Sequence, residues 1–68
     1  MNQYIELNNF IKINNLASTG GQAKLLIRSG KVLVNGVVEI RNKKKLILGD
    51  KVECEGKTLV VEQNVLRN

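Results

Sequence analysis

The stretch LLIRSGKVLVNGVVEI, Leu25 to Ile40, contains a change of period that decides the fold. Up to Arg28 the apolar residues follow helical spacing, and Gly30 stands where a left-handed residue commonly ends a helix. After Gly30 the spacing becomes that of β-strands on both sides of Asn35-Gly36. A type I′ turn needs a positive φ at both central residues, which Asn-Gly adopts readily. The stretch therefore predicts a helix followed directly by a β-hairpin.

Two helices are predicted before this hairpin. The first covers residues 4–17, whose apolar side chains recur at near-helical spacing. The second begins at Thr19, which fits a capping box with Gln22: the hydroxyl accepts from the Gln22 amide, and the Gln22 side chain returns to the Thr19 backbone. Its predicted buried stripe is Ala23, Leu26 and Ile27.

A second hairpin is predicted after the first. Gly49-Asp50 and Glu55-Gly56 mark two turns, and the alternating segment between them places Val52 and Cys54 inward. The expected fold is α+β, with two N-terminal helices packed on an antiparallel sheet of about four strands. All 68 residues form one domain in this interpretation, with a core from about residue 4 to 62 and a frayed tail over residues 63–68.

Composition narrows the class of protein. The 68 residues carry 11 Lys and Arg against 6 acids, a net charge of +5, with one cysteine and no histidine. A disulfide framework, a zinc site and a histidine-assisted catalytic thiol are therefore not expected, and Cys54 is interpreted as a small core residue. We expect no enzyme, no cofactor and no metal. With neither a signal-peptide pattern nor a long apolar run, a cytoplasmic protein without membrane contact is expected.

The positive charge is concentrated after the first hairpin. Arg41, Lys43, Lys44 and Lys45 fall within five residues, here called the basic connection (Arg41 to Lys45). Lys24 and Arg28, four residues apart, share one exposed face of the second helix. A lysine run can be only a solvated, anti-aggregation device, and Lys24 and Arg28 can be simple solubilising charges. The alternative is a surface that binds a polyanion.

The order LNNFIKINNLASTGGQAKLLIRSGKVLVNGVVE, followed by LGDKVE, resembles a known RNA-binding domain. This is the domain named after small-subunit ribosomal protein four, the S-four domain or αL motif. The likeness extends from Leu7 to Val61, and LIRSGKVLVNG together with LGDKV is its most specific part. The length and the GGQAK variant resemble the short stand-alone bacterial members, the YaaA-like proteins.

The resemblance implies binding to structured RNA, ribosomal or transfer RNA, in ribosome assembly or translation, with ribosomal particles as further partners. The RNA-binding residues it implies are Thr19, Gly20, Gly21, Gln22, Lys24, Arg28, Lys31, Asn35, Arg41, Lys43, Lys44 and Lys45. Gly20 departs from the pattern, since many members have an arginine there. The amides of Gly20 and Gly21 at a helix N-terminus would then replace its phosphate contact.

Recognition by backbone and shape is expected, because Tyr4 and Phe10 are the chain's only aromatic residues and cannot form a stacking platform. A monomer without a small-molecule substrate is expected. Asn35 is foremost a turn residue, with RNA contact as an additional role. The competing hypothesis is an adaptor that binds a protein or DNA with the same basic surface. Reversing the charge of Lys43, Lys44 and Lys45 discriminates the two, since a partner held by apolar contacts would survive it.

Overall fold

A computed structural model describes residues 3–66 of the chain. Its elements are β1 (Ile5–Glu6), α1 (Leu7–Ile13), α2 (Gly20–Arg28), β2 (Val32–Val34), β3 (Val37–Val38), β4 (Lys45–Leu46), β5 (Lys51–Cys54), β6 (Lys57–Val60) and a 3₁₀ helix (Gln63–Val65). Four strands form one antiparallel sheet in the order β3-β2-β5-β6, and β1 pairs separately with β4. The predicted α+β class with two helices and a four-stranded antiparallel sheet is confirmed, and the β1–β4 pair is additional.

The first hairpin has the predicted turn. Asn35 and Gly36 have φ values of 53° and 83°, and Val34 pairs with Val37 across the two-residue loop. Gly30 has a φ of 82°, as expected of the residue that ends α2. These positive φ values explain why the chain turns from α2 into β2 and back through β3 within so few residues.

One of the two hydrogen bonds predicted for the capping box of α2 is confirmed, and the other is wrong. Thr19 Oγ1 accepts a hydrogen bond from the Gln22 amide at 3.1 Å, as predicted. The Gln22 side chain, however, does not return to the Thr19 backbone. Its Oε1 accepts from the Ser18 amide at 2.9 Å and from the Ser18 hydroxyl at 2.6 Å. Ser18 offers two donors to one oxygen, whereas the Thr19 backbone would offer one.

The first helix is shorter than the predicted 4–17. Ile5 and Glu6 are extended because they pair with Leu46 and Lys45 in β4. At the other end Asn15 adopts a φ of 61°. Its amide bonds the carbonyl of Lys12, and the next amide, that of Leu16, bonds the carbonyl of Ile11. This pair of bonds is a Schellman motif, which ends α1 well before Ala17.

The core lies between the helices and one face of the four-stranded sheet. Its buried members are Ile5, Leu7, Phe10, Ile11, Ala17, Ala23, Ile27, Val32, Val34, Leu46, Val52, Cys54, Val61 and Leu66. Val52 and Cys54 point inward as predicted, while Leu26 is only half-buried. Over residues 3–66, none of the helices has the length and apolar character needed to cross a membrane.

The C-terminal segment differs from the predicted frayed tail. Gln63–Val65 form a 3₁₀ helix, and Leu66, which follows it, packs into the core and is only 8% exposed. Burial of the Leu66 side chain compensates for ordering this short segment. The remaining two residues of that prediction, Arg67 and Asn68, lie outside the described residues.

Candidate nucleic-acid interface

The basic connection is attached by its backbone to the start of α1. The amides of Leu7 and Asn8 have no acceptor within their own helix, as is usual for the first turn. They donate instead to the carbonyls of Lys44, at 2.8 Å, and Asn42, at 3.0 Å. The β1–β4 pair continues this contact through Lys45. The segment carrying four cations is therefore held at defined points rather than looping freely.

The four cations of the basic connection surround one open depression. Arg41, Lys43, Lys44 and Lys45 line its wall, and it encloses about 400 Å³. Lys45 Nζ lies 4.9 Å from the centre of the Tyr4 ring, which is within the range of a cation–π contact. A positively charged concavity of this kind attracts phosphate groups.

A second groove of about 380 Å³ connects this cluster with the first hairpin. Its lining includes Lys44 and Lys45 as well as Asn35 and Asp50. The structure thus brings Asn35 beside the basic connection. It also adds a carboxylate, Asp50, that the site prediction did not include.

Arg41 forms an ion pair with Glu39 that was not predicted from the sequence. Its Nε donates to Glu39 Oε2 at 2.9 Å and its Nη2 to Oε1 at 3.1 Å, while its backbone amide also donates to Oε2 at 3.0 Å. The hydrogen bonds of the Arg41 side chain are the main reason that the pKa of Glu39 falls from 4.5 to about 2. Spacing could have indicated the pair, since residues two apart in an extended segment share a side.

Asn35 has a structural role in addition to its place in the turn. Its side-chain nitrogen donates to Asp50 Oδ1 at 3.1 Å, and its side-chain oxygen accepts from the Lys51 amide at 2.9 Å. Asp50 Oδ2 in turn accepts from the Ile47 amide at 2.9 Å. This network joins the two hairpins next to the groove. Contact of Asn35 with RNA stays a prediction.

The predicted residues of α2 are all exposed. They are Thr19, Gly20, Gly21, Gln22, Lys24 and Arg28. A Cβ placed on Gly20 would meet nothing within 4 Å, and one on Gly21 would meet only Thr19 Oγ1 at 3.9 Å. Packing therefore does not require glycine at either position. The amides of Gly20 and Gly21 also donate to no acceptor within residues 3–66, so both are available to an external anion.

Lys31 lies apart from the basic connection. It is exposed just before β2, and it is close enough to act electrostatically on Cys54, whose thiol has a raised pKa mainly because of burial. Asn35 follows the opposite end of the same strand. The two depressions described above include neither Lys31 nor any residue of α2. The structure therefore groups Asn35 with the basic connection, whereas α2 and Lys31 contribute separate exposed cations.

A comparison with known families matches residues 1–62 to the model of the S4 domain. The chain belongs to the S4 domain family. Among its relatives, "Putative RNA-binding protein YbcJ" of Escherichia coli is 34% identical over 58 residues, which are 85% of this chain and 83% of YbcJ. "Probable ribosome maturation protein RlbA" of Bacillus subtilis is 39% identical over 54 residues, 79% of this chain and 76% of RlbA.

A solved structure supports the assignment at the level of the fold. The solution structure of the Escherichia coli YbcJ protein superimposes with a TM-score of 0.67 at 34% identity, covering 87% of this chain and 75% of YbcJ. That structure is described as revealing an αL motif involved in RNA binding. The resemblance inferred from LIRSGKVLVNG and LGDKV is therefore confirmed, and with it the αL fold.

Proposed function

We propose that this S4-domain protein binds structured RNA, ribosomal or transfer RNA, through contacts to backbone and shape, and acts in ribosome maturation. One observation carries the proposal. The basic connection is fixed by main-chain hydrogen bonds to the start of α1, so its cations form a defined surface. A folded RNA presents phosphates at fixed positions, and such a surface can match them. The names given to the relatives YbcJ and RlbA point the same way.

The second part of the interface is α2. Lys24 and Arg28 are exposed on it, and the free amides of Gly20 and Gly21 take the place of the arginine that is common in the family. With the three lysines of the basic connection, about five phosphates would be neutralised. The molecule measures 32 × 23 × 18 Å, so one compact RNA can reach both parts.

The test is a titration of the protein with a folded transfer or ribosomal RNA fragment and with an unstructured RNA of equal length, at several salt concentrations. We expect tighter binding to the folded RNA. For about five phosphate contacts, the slope of log affinity against log salt should be roughly −3.5 to −4.5. Equal affinity for both RNAs, or affinity that does not respond to salt, would contradict the proposal.

A matched pair of variants locates the surface. Lys43→Glu/Lys44→Glu/Lys45→Glu should abolish binding of the folded RNA. The control, Lys12→Glu/Lys51→Glu/Lys57→Glu, makes the same charge change at exposed lysines that do not line the basic depression. It should weaken binding much less, through long-range electrostatics alone. Equal losses would indicate attraction by net charge, and survival of a complex with a protein partner in the first variant would favour the adaptor hypothesis.

A further inference from the structure

Glu39 is an acidic residue inside the most basic part of the molecule. Its side chain is only 13% exposed, whereas the side chain of its partner Arg41 is 69% exposed. Lys44 also stabilises the ionised carboxylate electrostatically, and Glu39 and Lys44 line the same groove. A carboxylate at this place repels every phosphate that approaches. Its presence in a surface that binds RNA therefore needs an explanation.

The hydrogen bonds between Glu39 and Arg41 supply this explanation. Glu39 accepts from Nε and from Nη2 of Arg41, which fixes the plane of the guanidinium. A guanidinium has five N–H donors, and this fork uses two of them. The donors on Nη1 and the second donor on Nη2 are left for another acceptor. Arg41 is thus held in one orientation with its outer edge exposed.

We propose that Glu39 is a positioning and specificity-determining residue, which orients Arg41 for a phosphate of a folded RNA and lowers the affinity for unstructured polyanions. The inference rests on the proposed function. An unstructured RNA adapts to any arrangement of charges, so its affinity follows net charge and Glu39 opposes it. A folded RNA has its phosphates at fixed positions, so it benefits when Arg41 is already ordered.

The test measures the affinity for the folded RNA and the affinity for the unstructured RNA. The quantity compared between variants is the first affinity divided by the second. In Glu39→Gln the affinity for unstructured RNA should rise, while that for folded RNA should rise less or fall. The ratio should decrease by about threefold to tenfold, the usual effect of ordering one long side chain. The control is Glu53→Gln, the same charge change on β5, where Glu53 lies opposite Leu33 and Thr58. Its ratio should stay at the wild-type value.

The same substitution in an Arg41→Ala variant separates the positioning role of Glu39 from the effect of its charge. In Arg41→Ala there is no guanidinium to orient, so adding Glu39→Gln should raise both affinities equally and leave the ratio unchanged. If Glu39→Gln changes the ratio to the same extent with and without Arg41, the positioning role is contradicted. An unchanged ratio in the wild-type background would also overturn it.

A measurement without RNA tests the orientation alone. The NMR signal of Arg41 Nε–H should exchange slowly with water in the wild type and rapidly in Glu39→Gln, with Arg28 as the reference for an exposed arginine. Rapid exchange of both arginines in the wild type would overturn the inference even if RNA binding is found. If wild-type protein does not prefer folded RNA while Arg41 is ordered, the proposed function fails, and the specificity role that rests on it falls too.

Discussion

At the scale of single residues, Asn35 combines two roles. Its backbone adopts the positive φ that the turn requires, and its side chain binds Asp50 and Lys51 of the second hairpin. The first role was predictable from the Asn-Gly pair. The second was not, because the bonded residues lie 15 and 16 positions away and only the pairing of β2 with β5 brings them together.

Asn35→Ala should therefore destabilise the protein by about 2 kcal/mol, from the strained φ and the lost hydrogen bonds together. Asn15 is the matched control, since its φ is 61° and its side chain makes no hydrogen bond within residues 3–66. Asn15→Ala should cost only about 1 kcal/mol, for the φ alone. Denaturant unfolding of both variants gives the difference. Equal losses would contradict a stabilising role for the side-chain network.

Glu39 makes stability depend on pH in a defined window. Its folded-state pKa is about 2, against an ordinary value of 4.5, because of the hydrogen bonds from Arg41. The ion pair contributes its full stabilisation above the ordinary value, and the contribution is lost as pH falls from 4.5 to about 2. Unfolding free energies of wild type and Glu39→Gln should differ at pH 6 and converge near pH 2. A difference that stays constant over that window would contradict the assignment.

At the scale of elements, the length of each helix depends on contacts beyond its own sequence. Periodicity predicted α1 from residue 4 to 17, but pairing with β4 and the Schellman motif at Asn15 limit it to Leu7–Ile13. The two-residue strands β1 and β4 are too short to have a readable period. By contrast, α2 has local signals at both ends, Thr19 and Gly30, and its position was predicted well.

The first turn of α2 offers a test that separates stability from binding. Gly20→Ala/Gly21→Ala should stabilise the helix by up to about 1 kcal/mol per site, because both added methyl groups have room. If the two glycines serve to let a phosphate approach the amides, the same variant should bind folded RNA more weakly. Thermal unfolding and the RNA titration are measured on one sample. Unchanged affinity would show that the glycines do not serve RNA binding.

At the scale of the whole molecule, the core extends further along the chain than the sequence indicated. Leu66 lies beyond the residues matched by the S4 domain model, yet its side chain packs into the core. Leu66→Ala should destabilise the protein by about 2 kcal/mol or more. Leu48, which is 58% exposed, is the control, and Leu48→Ala should cost less than about 0.5 kcal/mol. Similar small losses of unfolding free energy in both variants would contradict a role for Leu66 in the core and support the predicted frayed tail.

The candidate site, too, was predictable from the sequence in part. The cations of the basic connection were visible as a cluster in the sequence, and the αL pattern indicated their role. The Glu39–Arg41 pair could have been indicated by its two-residue spacing, but the place of Asp50 beside Lys44 and Lys45 could not, because only the folded chain brings these residues to one groove. Periodicity also could not show that no residue of α2 lines the groove, because this depends on how α2 packs in the folded molecule.

The most direct test of RNA binding through α2 and the basic connection is an NMR titration of the labelled protein with a folded RNA, because it maps the bound surface without any mutation. Amide signals of residues 19–28 and 41–45 should shift together and saturate at one RNA concentration. Signals of β6, on the other edge of the sheet from β3, should stay unchanged. Shifts concentrated on β6, with residues 41–45 unaffected, would contradict binding through the basic connection.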